Sequence, residues 1–305
     1  MDALNRRDFL KGSVKAGTAV LGMAAIAELA SKSLSRGTAV AEAAGPLPEY
    51  KIYACKYAGP VVRSKALSQW NTGWDEQIPI NYYVWAVRGA NGETTVVDIG
   101  PSTATAAARK VPGYVNPVEV LARLGANANN VTKVVLTHAH WDHVGNLEAC
   151  LGAFPKAKFY IQKQEFDFYV KNPLVLRKPI AGLFDPPASK VLDRMAGSDR
   201  LVIVEGDANL SPGIDLILAP GHTPGLQVVR VNTVKGPAVV GSDLAHLFQG
   251  YRDDTGSCFI IDMLAWIQSF DKVKSKAAIE LIFPGHDVQM SDNYPKVAEG
   301  ITQLV

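Results

Sequence analysis

Cysteine is scarce in this chain of 305 residues, which carries only Cys55, Cys150 and Cys258. Their spacing matches no zinc-ligand pattern, so they are not read as metal ligands. The odd count leaves at least one thiol unpaired. One pair could form a disulfide in an oxidising compartment, but the default reading of each is a small buried hydrophobe. A surplus of one charge sign is also missing, since 31 basic residues face 29 acidic ones. That near-balance leaves no electrostatic footprint for nucleic acid. No apolar run reaches the ~20 residues of a bilayer-spanning helix, and no fixed-period repeat or low-complexity tract occurs. What remains, 48% hydrophobic and 20% charged, is the composition of a globular protein with a substantial core. The length suits one layered α/β domain.

Much of the small basic excess lies at the N-terminus, where Arg6, Arg7, Lys11, Lys15, Lys32 and Arg36 face Asp2, Asp8 and Glu28. The segment Asn5-Arg6-Arg7-Asp8-Phe9-Leu10-Lys11 resembles the twin-arginine export signal. A weakly hydrophobic Ala/Gly-rich stretch follows from Ala16 to Ala30. Ala-x-Ala cleavage candidates then stand at Ala39-Val40-Ala41 and Ala41-Glu42-Ala43. Residues 1–43 are therefore read as a removed signal peptide rather than a short anchor helix, and 44–305 as the mature domain. The resemblance implies delivery by the twin-arginine machinery, which exports folded proteins, to the periplasm or beyond.

Along the mature chain, strand-like alternation occurs at 50–57, 82–87 and 94–98. Asn116-Pro117 reads as the cap and first turn of an amphipathic helix stopped by Gly125. Lys133–Thr137 is a short buried strand, 145–151 looks helical, 158–162 extended and 165–170 helical. Residues 171–199, with Pro173, Pro179, Pro186 and Pro187, interrupt the rhythm at a length beyond an ordinary connection. They are read as a lid or substrate-facing insertion. Strands resume at 201–205, 214–218, 226–231 and 238–241, then a helix at 262–274, a strand at 281–283 and a closing C-terminal helix. Two successive halves of alternating strands and helices suggest two sheets packed face to face with helices outside.

The chemistry lies in three punctuated loops that hold five of the six histidines. The first is Thr137-His138-Ala139-His140-Trp141-Asp142-His143. Residues two apart in an extended segment point the same way, so His138 and His140 can share one metal, while Asp142 and His143, past the turn, can reach a second. Pro220-Gly221-His222-Thr223-Pro224-Gly225 and Phe283-Pro284-Gly285-His286 each hold one histidine in rigid backbone, and Asp243 follows an apolar strand where a carboxylate could bridge two cations.

His-x-His-x-Asp-His, the later Pro-Gly-His, the strand-end Asp and the final Gly-His together resemble the metallo-β-lactamase superfamily over about residues 80–290. The resemblance implies an α/β fold, a four-layer αββα sandwich with two metals at one edge of the sheets. His138, His140 and His222 would hold one, Asp142, His143 and His286 the other, and Asp243 would be shared. Nitrogen and oxygen donors without thiolate suit two divalent ions, with zinc favoured and manganese, cobalt or iron compatible. Asp98 resembles the first motif of the superfamily and reads as a buried acid orienting loop backbone or a ligand histidine.

Within the superfamily, Asp243 stands where true β-lactamases use Cys or Ser, and His140 where flavodiiron proteins have Glu. No basic cluster suggests a glutathione thioesterase. The remaining similarity is to the N-acyl homoserine lactonase-like group, whose tyrosine three residues after the bridging Asp is replaced here by His246. His246 could polarise a substrate carbonyl or protonate a leaving alkoxide, or lie exposed in a loop. The implied reaction is opening of a lactone or ester by a metal-bridging hydroxide, with Asp142 or His246 protonating the leaving oxygen. Trp70, Trp74, Phe184 and Phe248 are candidates to line the pocket of that small-molecule substrate. An organophosphate or thioester hydrolase, a mononuclear-iron persulfide dioxygenase, and a non-catalytic metal-binding or partner-binding protein are the rival readings. An oligomer is compatible with the sequence.

Overall fold

Alternation along the strands sorts the apolar side chains into three separate cores, and the layering follows from that sorting. The computed structural model describes residues 46–305. The twin-arginine segment lies outside the described residues.

The first sheet has the order β12-β13-β1-β2-β3-β4-β5-β6. Its strands are β1 (Tyr50–Ser64), β2 (Gln77–Gly89), β3 (Thr94–Val97), β4 (Val131–Val135), β5 (Lys158–Gln162), β6 (Leu201–Val204), β12 (Lys296–Ala298) and β13 (Ile301–Gln303). The second has the order β11-β10-β9-β8-β7: β7 (Ala208–Ser211), β8 (Ile214–Leu218), β9 (Gln227–Thr233), β10 (Gly236–Ser242) and β11 (Ile282–Pro284).

Successive side chains on a strand face opposite sides of its sheet. Tyr53, Cys55, Val84, Ala86, Val96 and Val134 form one core with Val120 and Leu121 of α1 (Pro117–Arg123), Leu147 and Cys150 of α2 (Leu147–Ala153), and Val191 and Leu192 of α3 (Pro186–Met195). Their neighbours Ile52, Ala54, Trp85, Val87, Val97 and Val135 meet Leu216, Val229, Val231 and Val240 of the second sheet in a second core. Ile217, Val228, Val239 and Ile282 point the other way, onto Trp266, Phe270 and Val273 of α4 (Met263–Lys274). Helices, sheet, sheet and helix are thus stacked in the four-layer αββα arrangement. The helix starts follow capping rules. Asn116 accepts from Val118 N ahead of Pro117, and Asp262 accepts from Ala265 N.

One expectation needs correction here. The closing C-terminal helix does not form. Only Gln289–Asp292 is helical, and β13 pairs antiparallel with β1 (Tyr53↔Gln303, Cys55↔Ile301). Pairing satisfies an edge of β1 that would otherwise be bare, and it sends Ile301 and Leu304 into different cores. The 171–199 segment carries structure of its own. Its second half is α3, capped by Asp185 and burying Ala188, Val191, Leu192 and Met195. Among the described residues no helix is long and apolar enough to cross a membrane.

Candidate metal centre

Strands β3, β4, β5 and β6 run parallel, and the chemistry-bearing residues come just after strand C-terminal ends, the crevice where open α/β sheets place ligands. Asp98 follows β3, His138 follows β4, His222 follows β8, Asp243 follows β10 and His286 follows β11. His140 caps the one-turn helix Trp141–Val144, which presents Asp142 and His143. The structure brings together every residue named above as a ligand, and His246 with them, all buried.

They form two sets around one carboxylate. His140 Nδ1 lies 3.1 Å from both His138 Nε2 and His222 Nε2, and Asp243 Oδ2 is 3.9 Å from His138 Nε2 and 3.5 Å from His222 Nε2. On the other side Asp142 Oδ2 lies 3.7 Å from His143 Nε2 and from His286 Nε2. Asp243 Oδ1 is 3.5 Å from the former and 3.3 Å from the latter. Asp243 Oδ2 is also 3.3 Å from His286 Nε2, so the one carboxylate reaches both sets. His143 Nε2 and Asp243 Oδ1 are buried without a hydrogen-bond partner, a cost of about 1–3 kcal/mol per group that a bound cation would remove. The donor set fits two divalent cations.

The rings are held from behind. His143 Nδ1 donates to Asp98 Oδ2 (2.8 Å) and His286 Nδ1 to the Asn81 carbonyl (3.0 Å). His138 Nδ1 is 3.0 Å from Thr137 Oγ1, whose own proton goes to Asp98 Oδ2 (2.7 Å). Each acceptor fixes the proton on Nδ1 and leaves the Nε2 lone pair for a metal. Asp98 also takes the Thr137 N–H (2.7 Å) and the Ser242 hydroxyl (3.3 Å), so it is the orienting acid the sequence suggested. Burial holds His138 and His140 well below the usual imidazole value, which keeps them neutral as ligands must be. Burial acts the same way on His143, but the carboxylates of Asp243, Asp142 and Asp98 outweigh it and raise that ring.

Backbone strain gathers at the same edge. Asp98 (φ 59°) and Ser242 (φ 44°) are non-glycine residues in the left-handed region, at about 1–3 kcal/mol each. A Cβ on Gly285 would stand 2.1 Å from Asp243 Oδ1, so only glycine lets the His286 loop close on the shared carboxylate.

Several residues that hold the site carry no local sequence signal. Glu165 is buried, with Oε1 accepting from Ala139 N (2.7 Å) and Oε2 from Gly225 N (2.9 Å). It ties the His138–His140 loop to the His222 loop, and burial pushes its carboxyl up to about 7. Glu165→Gln would turn an amide NH2 towards a backbone N–H. Thermal melting should register a loss of about 1–3 kcal/mol. Chelator competition should show weaker metal retention by about tenfold, and unchanged retention would mean that the tie is not used. Tyr57, 85 positions earlier, donates to the Asp142 carbonyl (2.8 Å). Arg63 Nη2 lies 2.8 Å from His246 Nδ1, and burial pulls His246 down to about 3.

The aromatic candidates divide. Phe184 forms a β-bridge with His140, and the neighbouring Leu183 carbonyl accepts from Trp141 N (2.9 Å), so residues 183–184 of the expected insertion do border the site. Phe248 is a correction, because it packs between the sheets against Phe283. Trp70 and Trp74 stand exposed. Trp141 packs with Tyr82, beneath the Arg109 guanidinium 4.4 Å above its ring.

Residues 78–286 match the metallo-beta-lactamase superfamily, which is more than half of the chain. The chain belongs to the metallo-beta-lactamase superfamily. An N-acyl homoserine lactonase of Bacillus sp is 25% identical over 175 residues, 56% of this chain and 62% of that protein. The match therefore spans less than two thirds of the relative's length. Among solved structures, a quorum-quenching N-acyl homoserine lactone lactonase superposes with a TM-score of 0.64 at 18% identity, over 81% of this chain and 96% of that one. AidC, a dizinc quorum-quenching lactonase in complex with the product N-hexanoyl-L-homoserine, superposes with a TM-score of 0.60 at 20% identity, over 79% and 88%. At these identities the superpositions establish the metallo-beta-lactamase fold.

Proposed function

We propose that the protein is a metal-dependent hydrolase that opens lactones or related esters, exported by the twin-arginine route to the periplasm or beyond. The observation that carries the reading is that the Asp243 carboxylate lies within 3.5 Å of both donor sets, His222 on one side and His143 and His286 on the other. Two divalent ions in those sets, zinc by preference, would supply a nucleophile of lowered pKa and a clamp for the developing oxyanion. The similarity to N-acyl homoserine lactonases supports the choice of a lactone.

The side chains of this chain do the rest. Asp142 reaches the edge of the second set while Tyr57 holds its backbone, so its carboxylate can take and return a proton at the reacting oxygen. His246, buried beside Asp243, can donate a hydrogen bond to a substrate oxygen. Trp141, Tyr82 and Phe184 pack around the ligands and keep bulk water from the donor atoms. Four donors complete one set and three the other, which favours two metals over the single iron of a dioxygenase.

The test is a side-by-side panel of acyl-lactones, thioesters, β-lactams and phosphotriesters with zinc-loaded protein. Lactone opening should exceed the other activities by about tenfold or more, the scale of one well-placed interaction. Preference for a phosphotriester would move the assignment to organophosphate hydrolysis. Oxygen consumption at one iron per chain would replace hydrolysis altogether. Cell fractionation with Arg6 and Arg7 intact or both changed to Lys tests export, because retention of both forms in the cytoplasm would sink that part.

A further inference from the structure

His246 differs from three other histidines of the site in what stands behind its ring. His143 and His286 each meet an oxygen acceptor at Nδ1, and His138 meets a hydroxyl oxygen. His246 meets Arg63, whose Nη2 is 2.8 Å from Nδ1. A guanidinium has no lone pair and does not give up its proton in a protein. Nδ1 must therefore accept, and the ring proton must sit on Nε2. That nitrogen lies 3.1 Å from Asp243 Oδ2 but is left without a hydrogen-bond partner. By distance alone Asp243, His246 and His286 form a third group able to hold a metal. A protonated nitrogen has no lone pair for that role.

Arg63 is itself placed for this task. It follows two register shifts in the β1–β2 pairing, at Lys56/Ala58 and Ala58/Val61, and its Nε and Nη2 donate to the hydroxyl of buried Ser68 at 3.1 and 2.9 Å. Among the described residues no carboxylate lies within ion-pair distance of it. A part-buried guanidinium without a counter-ion is costly for the fold, and its hydrogen bond into the site goes to the His246 ring.

We infer that Arg63 is a positioning residue that fixes His246 as the Nε2–H tautomer, which makes His246 a hydrogen-bond donor to a substrate oxygen and not a ligand to the metals. The tautomer stands on the geometry alone. The donation to substrate rests on the hydrolase reading above.

Long-range 1H–15N correlation spectra of the zinc-loaded full-length protein, labelled with 15N-histidine, test the tautomer directly. His246, assigned by the signals lost in His246→Gln, should show an unprotonated Nδ1 and a protonated Nε2. Arg63→Met should mix the two tautomers and lower kcat for the preferred panel substrate by about tenfold or more, with KM changed less than about threefold. Arg63→Lys keeps a donor and should restore both the spectrum and most of kcat. Metal per chain should stay at two in all three variants. A proton on Nδ1 in the unsubstituted protein, an Arg63→Met spectrum identical to it, or loss of metal in His246→Gln would overturn the inference. Because the spectra and metal counts need no substrate, they decide the role of Arg63 even if the panel shows no hydrolysis. If Arg63→Met does not fold, the unsubstituted spectrum and Arg63→Lys still decide it.

Discussion

Asp243→Asn is expected to lower hydrolysis by about 10³-fold, the scale seen when one preorganised polar group is removed from a transition state. Metal per chain should fall from two towards one. Both oxygens of Asp243 are in use, Oδ2 near His138, His222 and His286 and Oδ1 near His143 and His286. Asparagine keeps the shape, which matters because Gly285 packs so closely on Oδ1. It replaces one acceptor by an NH2 and removes one of the two carboxylate charges at the ligand sets. Metal analysis and kcat with excess zinc check the result. Two metals retained with undiminished turnover would end the bridging role.

Stripping the metals should be nearly as severe. Dialysis against a chelator is expected to abolish turnover and to lower the melting temperature by about 10–20 °C. Each site held at about a hundredfold excess over its Kd contributes about 2.7 kcal/mol, and about 1 kcal/mol moves the midpoint of a domain this large by about 2–4 °C. Without cations His143 Nε2 and Asp243 Oδ1 are left buried and unpartnered. Asp98 and Ser242 would still hold strained backbone around a site with nothing bound. Calorimetry before and after zinc is restored measures the shift. A melting temperature indifferent to chelator would mean that the sets do not bind metal in the folded protein.

The ligand set can be read from the amino-acid order because its signal is local. Four donors lie within six residues in the first loop, and the Pro-Gly-His turns punctuate strand ends. The layered fold is legible for a related reason, since period-two alternation states which side chains are buried on each face. The C-terminal strands are not, because Lys296–Ala298 and Ile301–Gln303 are three residues each. Segments so short take their conformation from the edge they pair with rather than from their own pattern.

By itself, then, the amino-acid order determined the donors, the strand ends that carry them and the number of layers. Tertiary structure alone decided which groups stand behind those donors. Arg63 meets His246 across 183 positions, Asn81 meets His286 across 205, and Glu165 joins loops 26 positions before and 60 after it. Hydrophobic periodicity specifies which face of a strand is buried, but only the packing of one sheet on the other selects the polar group that meets a ring nitrogen. The proton position on each histidine, and with it the division between ligand and donor, is set at that level.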